Sequence, residues 1–423
     1  VLPIRATSAE QRRRNAKKSI SRAANMSDKG IFVYAWDLVD EGFAAVGARL
    51  RDAGADTVAM ATSYHAGKFI RPHGHSGKVY FPDDGTIYFR HRPERYGRVQ
   101  PIPHPMLEHV DPLVELAREA PDMALVGWTV CCHNTRLGQA HPELIARNAM
   151  GDGLIYSLNP AHPDVRHYIV TLAADLADRY ELAALTLETP GWLPYAHGYH
   201  HEFALLPLDP WIDFYLGLCF APATVTAARA AGIDADGLRH RVAARIEAWL
   251  GSDVAVGERA AEWVQADLVG DGELRAFLDW RCRCVADLVA EMRAALPAAT
   301  ALRVIPSVQR PTARCWIEGS DLAMLGAVAD HLDVCFYEPS AAAVAADLFD
   351  VTQRLGGTAK LGAILRPTHP DLAGGGETAV AATTLKRAGL QGLSFYNYGH
   401  WRLGALDHVK AAFAVWDGQG EAL

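Results

Sequence analysis

The chain has 423 residues, of which 50% are hydrophobic and 21% charged. That mixture excludes disordered, collagen-like and disulfide-scaffold classes and leaves room for one large domain or two to three average ones. Forty-one Lys plus Arg against 49 Asp plus Glu give a net charge of -8, with no basic stripe. Nucleic acid is therefore not an expected partner, because phosphate binding needs clustered positive charge. No run approaches the roughly 20 consecutive apolar residues of a membrane-spanning helix, so no membrane partner is expected either.

Cys131, Cys132, Cys219, Cys282, Cys284, Cys315 and Cys335 lie mostly in apolar runs without metal-ligand spacing. They read as buried thiols of a reducing, cytoplasmic environment. Arg12, Arg13 and Arg14 are followed by Asn15-Ala16-Lys17-Lys18 rather than by the apolar core of a signal peptide. Met26 precedes Ser-Asp-Lys-Gly and a strand-like run, so residues 1–29 are expected to form an N-terminal extension and 30–423 the folded domain. A basic amphipathic helix over 1–25 is the alternative.

From Ile31 onward, short apolar runs alternate with longer amphipathic stretches, the pattern of βα units around a parallel sheet. The expected strands are Ile31 to Trp36, Thr57 to Thr62, Ala124 to Val130, Ala183 to Leu187, Leu302 to Ile305, Leu332 to Tyr337, Ala359 to Leu365 and Gly392 to Tyr396. Helices are expected at Asp40 to Ala53, Asp111 to Ala120 and His167 to Tyr180. Between the fourth and fifth strands, Ile212 to Phe220, Ala223 to Ala231, Leu238 to Leu250 and Glu273 to Leu296 have helical spacing, which predicts a helical insertion over about 190–297. Eight strands in strict alternation specify an α/β fold, a (β/α)8 TIM barrel. An open doubly wound sheet is the alternative, disfavoured because Ala35-Trp36-Asp37-Leu38 stands where a Gly-rich dinucleotide loop would follow the first strand.

In a barrel the residues just past each strand form the active face. Here they are Trp36-Asp37, Ser63-Tyr64-His65, Cys132-His133-Asn134, Glu188-Thr189, Tyr337-Glu338, Arg366, and Tyr396-Asn397-Tyr398 with His400 and Trp401. Glu188 closes the apolar run Ala-Leu-Thr-Leu ahead of Thr-Pro-Gly-Trp, and Glu338 closes Val334-Cys335-Phe336-Tyr337 ahead of Pro339. The bland alternatives are a structural ion pair for Glu188 and a helix-dipole charge for Glu338. Two carboxyl groups from separate strands are what acid/base cleavage of an acetal needs, one protonating the leaving oxygen and the other stabilising or attacking the oxocarbenium centre.

The expected substrate-binding side chains are Asp37, Tyr64, His65, Arg71, Lys78, His133, Asn134, Trp192, Tyr337, Arg366, Asn397 and Trp401. The aromatic ones offer flat faces for stacking on sugar rings. Trp128 and Tyr396 are expected to be core filling, and an Asn after a strand often merely caps the next helix. The loop from Tyr64 to Phe81 mixes cations, imidazoles and glycine, suited to polyhydroxyl or anionic groups. His73-x-His75 and His200-His201 are weak metal signals without a spaced third ligand, so no metal and no cofactor are expected. There is no G-x-S-x-G, phosphate loop or H-E-x-x-H motif, and the strand neighbours Cys132 and His133 point to opposite faces, so they cannot simply be read as a dyad.

Ser63-Tyr64-His65-Ala66-Gly67, Lys78-Val79-Tyr80-Phe81-Pro82-Asp83-Asp84-Gly85, Leu187-Glu188-Thr189 and Leu218-Cys219-Phe220 together resemble segments of the glycoside hydrolase barrels, more narrowly bacterial glycosidase-like barrel proteins. The segments are spread over about half the chain and none is diagnostic of one family. The resemblance implies sugar chemistry, with a carbohydrate or glycoside as the small-molecule partner and homo-oligomerisation left open. By analogy, Glu188 matches the fourth-strand acid/base of the large retaining clan. That clan places its nucleophile after strand seven, whereas Glu338 follows strand six. The α-galactosidase-like barrels use strands four and six with the roles exchanged, so the resemblance leaves the roles of the two glutamates open. A metal-dependent sugar isomerase or epimerase using Glu188 and His133, and a non-catalytic carbohydrate-binding barrel, are the competing classes.

Overall fold

The computed structural model describes residues 28–197, 204–357 and 360–419. The expected extension up to residue 27, His200, His201 and the start of the seventh expected strand at Ala359 lie outside the described residues.

Eight parallel strands close into a barrel: β1 Lys29–Val33, β2 Thr57–Tyr64, β3 Ala124–Val130, β4 Ala184–Glu188, β5 Ala301–Val304, β6 His331–Cys335, β7 Leu361–Leu365 and β8 Gly392–Phe395. Each strand pairs with its neighbours in sequence, and β1 pairs with both β2 and β8, which closes the ring and excludes the open sheet. The protein is a (β/α)8 barrel. Strands covered on both faces carry little polar alternation, which is why they read as apolar runs.

The first expected strand is too long at its C-terminal end. β1 stops at Val33, and Ala35–Glu41 is already helical, so Trp36 and Asp37 sit on a helical turn above the strand. The single helix expected over Asp40 to Ala53 is two, Ala35–Glu41 and Phe43–Asp52. They are broken at Gly42, whose φ of 89° is a conformation that side chains with a Cβ rarely adopt.

Among the described residues, five α-helices lie between β4 and β5: Pro210–Gly217, Pro222–Ala230, Ala235–Leu250, Ala260–Gly270 and Gly272–Ala295. The last packs against Pro163–Arg179, where Arg166 donates to the Cys284 carbonyl (3.1 Å) and pairs with Glu291 (2.7 Å). It therefore serves as the crossover helix to β5, and the additional helices precede it.

Inside the barrel the strands present side chains in layers. At the floor, Arg303 of β5 meets Asp28 at 2.5 Å and Asp333 of β6 at 4.0 Å, and Thr186 of β4 approaches Asp333 at 3.4 Å. Glycines make room for these carboxylates. A Cβ on Gly362 would stand 2.6 Å from Asp333 Oδ1, and one on Gly392 2.9 Å from Asp28 Oδ2. Above the floor lie Phe32 and Trp128, packed edge to face at 5.3 Å. One step higher along the inward-facing positions come Tyr34, Glu188, Tyr337, Arg366 and Tyr396.

Candidate active site

Strand alternation turns Glu188 inward, two residues above Thr186. Its side chain is 9% exposed, and its Oε2 accepts the indole N–H of Trp128 at 2.6 Å. Burial pushes the Glu188 carboxyl up to about 7, opposed by the Trp128 hydrogen bond and the Arg366 charge. Trp128 is thus fully buried, as the sequence suggests, yet its polar edge serves the carboxylate. Trp128→Phe is expected to remove a bond that favours the ionised form, raising the Glu188 pKa by about 1–2 units. Infrared titration of the carboxyl band checks this, and a downward or absent shift would contradict the bond's role.

A ring of phenols stands beside Glu188. The Tyr34 hydroxyl is 2.9 Å from that of Tyr64 and 2.8 Å from that of Tyr396, and the last two are 3.2 Å apart. Tyr34 also meets His400 Nε2 at 3.2 Å. Burial drives the Tyr34 and Tyr64 phenols far up, with neighbouring phenols contributing, and brings His400 down to about 4. The cluster is accordingly a set of uncharged hydrogen-bonding groups at neutral pH. Tyr396 is part of this cluster, not core filling alone. Arg366 supplies positive charge, its guanidinium lying 3.9 Å from the Tyr337 ring centroid and 5.6 Å from that of Tyr396, and it pairs with Asp371 at 3.5 Å.

The loop after β2 is fastened to the helix after β1. Arg71 bridges Asp37 (2.6 Å) and Asp40 (2.8 Å), and His73 reaches Glu41 (2.7 Å) and the Tyr398 carbonyl (2.9 Å). Burial raises the Asp37 carboxyl to about 6 despite Arg71, whereas hydrogen bonds from Ser76 and His75 outweigh burial and hold Asp40 at about 2. Lys78 turns back onto the Gly74 carbonyl at 2.8 Å. Asp37, Arg71 and Lys78 are therefore engaged in holding the loop. The loop places Phe69 over the phenol ring, 5.6 Å from Tyr34 and 4.8 Å from His400. A separate cavity of about 340 Å³ is lined by Trp36, Asp40, Arg71, Ser76, Val79 and Tyr80 among others and includes neither Glu188 nor the phenols.

The remaining expected residues divide. His65 is stacked between Tyr64 at 4.3 Å and His133 at 3.9 Å. Asn134 and Asn397 act as caps, accepting the N–H groups of Leu137 (2.9 Å) and Gly399 (3.0 Å). Trp192 is 1% exposed, bonded to Asn159 at 3.2 Å and covered by Arg281 at 4.7 Å. Trp401 donates to the Tyr396 carbonyl at 3.1 Å. Glu338 follows β6 on the same rim, one residue past the inward Tyr337; burial raises its carboxyl, and the charges acting on it are Asp347, Arg310 and Asp371.

Sequence reasoning passed over Tyr34 and Glu318. Glu318 ends the 3-10 helix Thr312–Glu318 in the loop after β5 and is 5% exposed. Its one local signal is a lone carboxylate after Trp316-Ile317 and before Gly319, a glycine with φ 80°.

No protein-family model matches the chain, and no curated protein does. Among solved structures, the PgaB (BpsB) glycoside hydrolase domain from Bordetella bronchiseptica aligns over 93% of this chain and 99% of its own, at 13% identity and a TM-score of 0.58. At that identity the likeness is one of fold: this chain shares the (β/α)8 architecture of that glycoside hydrolase domain. The β-galactosidase of the haloarchaeon Halorubrum lacusprofundi aligns over 91% of this chain at 12% identity with a TM-score of 0.53. That of Marinomonas ef1 aligns over 92% at 12% identity with a TM-score of 0.50. The chain spans 57% and 59% of these two galactosidases, so the likeness to them is confined to part of each. Glu188 is the last residue of β4, at the C-terminal end of the barrel.

Proposed function

We propose that this protein is a glycosidase, a hydrolase of O-glycosyl bonds that works with two carboxyl groups, one of them Glu188. The observation that carries the reading is the inward carboxyl of Glu188 at the end of β4, held by Trp128 and raised to about 7. Near neutral pH such a group is available in both protonation states, as proton transfer to or from a glycosidic oxygen requires. The phenols, His400 and Arg366 are the hydrogen-bonding groups for sugar hydroxyls, and the half-buried ring of Phe69 offers a stacking face. Glu338, on the same rim, is the second carboxyl that the sequence pattern nominates.

The test is turnover of a panel of aryl glycosides and oligosaccharides by the wild-type chain, before and after exhaustive chelation. Hydrolysis that survives chelation is expected. Loss on chelation, restored by one divalent ion, would replace the reading with a metal-dependent isomerase or epimerase. Binding of glycans without turnover would leave a carbohydrate-binding barrel.

A further inference from the structure

We propose that Glu318 is the second carboxyl group of the Glu188 site, so that the reaction runs on a glutamate pair contributed by β4 and by the loop after β5. This rests on the glycosidase reading and names its missing partner. The two segments are joined by backbone: Trp192 N–H, just past the turn that leaves Glu188, donates to the Glu318 carbonyl at 3.0 Å. Gly191 packs so closely that a Cβ there would stand 2.0 Å from that oxygen. The Glu318 carboxyl accepts the Ser307 hydroxyl at 2.8 Å. Ser307 stands just beyond β5, the strand paired with β4 through Leu187 and Val304.

Both carboxyl groups are buried, 9% exposed at Glu188 and 5% at Glu318, and the charge of Glu188 acts on Glu318. Glu338 answers to a different set, Asp347, Arg310 and Asp371. Burial lifts Glu318 to about 8; the charge of Glu188 adds to this, and hydrogen bonds from Ser307, Gln309 and the Val308 N–H oppose it. The nearby Cys315 thiol is pushed far up by burial and stays neutral. Two carboxyls that cannot both ionise readily hold one proton between them around neutrality. In hydrolysis the protonated member gives its proton to the leaving oxygen as the anomeric C–O bond breaks. The ionised member bonds to the anomeric carbon or deprotonates the water that does, and water supplies the new C–O bond.

Glu318→Gln and Ser307→Ala test the pair, read by kcat/KM against pH, by aryl glycosides of graded leaving-group pKa and by infrared titration of protonated carboxyl groups. The wild type is expected to give a bell-shaped profile, and Glu318→Gln to lose one limb. The same variant should lose about 10²-fold or more of its turnover on one or other end of the leaving-group series. Ser307→Ala, which removes one bond to the ionised carboxylate, should shift that limb to higher pH while the fold is kept. Both limbs intact in Glu318→Gln with an unchanged leaving-group dependence would overturn the proposal, as would loss of a limb in Glu338→Gln alone. The infrared titration separates the two readings. A wild type that hydrolyses no glycoside, but shows two carboxyls deprotonating across about 7 to about 8 and one in Glu318→Gln, keeps the pair and ends the glycosidase assignment.

Discussion

Glu188→Gln is expected to reduce kcat on any accepted glycoside by about 10²–10⁴-fold, because the amide keeps the size and the Trp128 bond but carries no proton to exchange. The same substitution should stabilise the protein, with a dependence on pH fixed by linkage. The carboxyl moves from its ordinary 4.5 to about 7 on folding, so between those values the folded chain binds more protons than the unfolded chain and stability falls as pH rises. Wild type and variant should therefore unfold alike below the unfolded pKa and diverge through that window. Above it the variant should lead by on the order of 3 kcal/mol. Thermal unfolding at acid, neutral and mildly alkaline pH gives the comparison. A glutamine variant that loses activity without gaining stability at the alkaline end would mean that Glu188 is not the strained, raised carboxyl described above.

Arg303→Met should weaken the fold without touching the mouth of the barrel. Arg303, Asp28 and Asp333 have side chains 14%, 19% and 11% exposed, so withdrawing the guanidinium leaves two carboxyls facing each other with little water. The expected loss is about 3 kcal/mol near neutral pH. Asp333 already sits at about 6 through burial, with Arg303 pulling it down; without the arginine its pKa rises further. Because a raised carboxyl destabilises increasingly as pH climbs from its unfolded to its folded pKa, the penalty should be smaller at pH about 5 than at pH about 8. Urea unfolding at both pH values measures it. An equal penalty would assign the loss to packing instead of charge.

The barrel strands were readable because a strand covered on both faces has to be apolar throughout, and the chain supplies eight such runs at the right intervals. The end of the first was not. Tyr34 and Trp36 suit a strand in isolation, but the helix Ala35–Glu41 begins at once and turns Asp37 toward Arg71. The position of Glu188 was readable since a charge at the close of an apolar run in a barrel falls on the C-terminal rim. The hydrogen bond from Trp128 was not, because a buried indole in sequence is indistinguishable from core. Glu318 lies in a loop with no periodicity, brought beside β4 only by the contact of its carbonyl with Trp192. The cap roles of Asn134 and Asn397 follow the ordinary use of Asn ahead of a helical turn, an alternative the sequence left open.

Gly191 has no side chain to offer a substrate, yet the Glu318 carbonyl oxygen fills the space a methyl group there would need. Alanine at this position would have to pry apart the two loops that Trp192 holds together. In a library where every position is varied in turn, residue 191 should accordingly show the intolerance expected of reacting groups, and a screen scored by activity alone would misfile it among them. Scoring the same library for folded protein would return it to its proper place as a spacer whose virtue is being small.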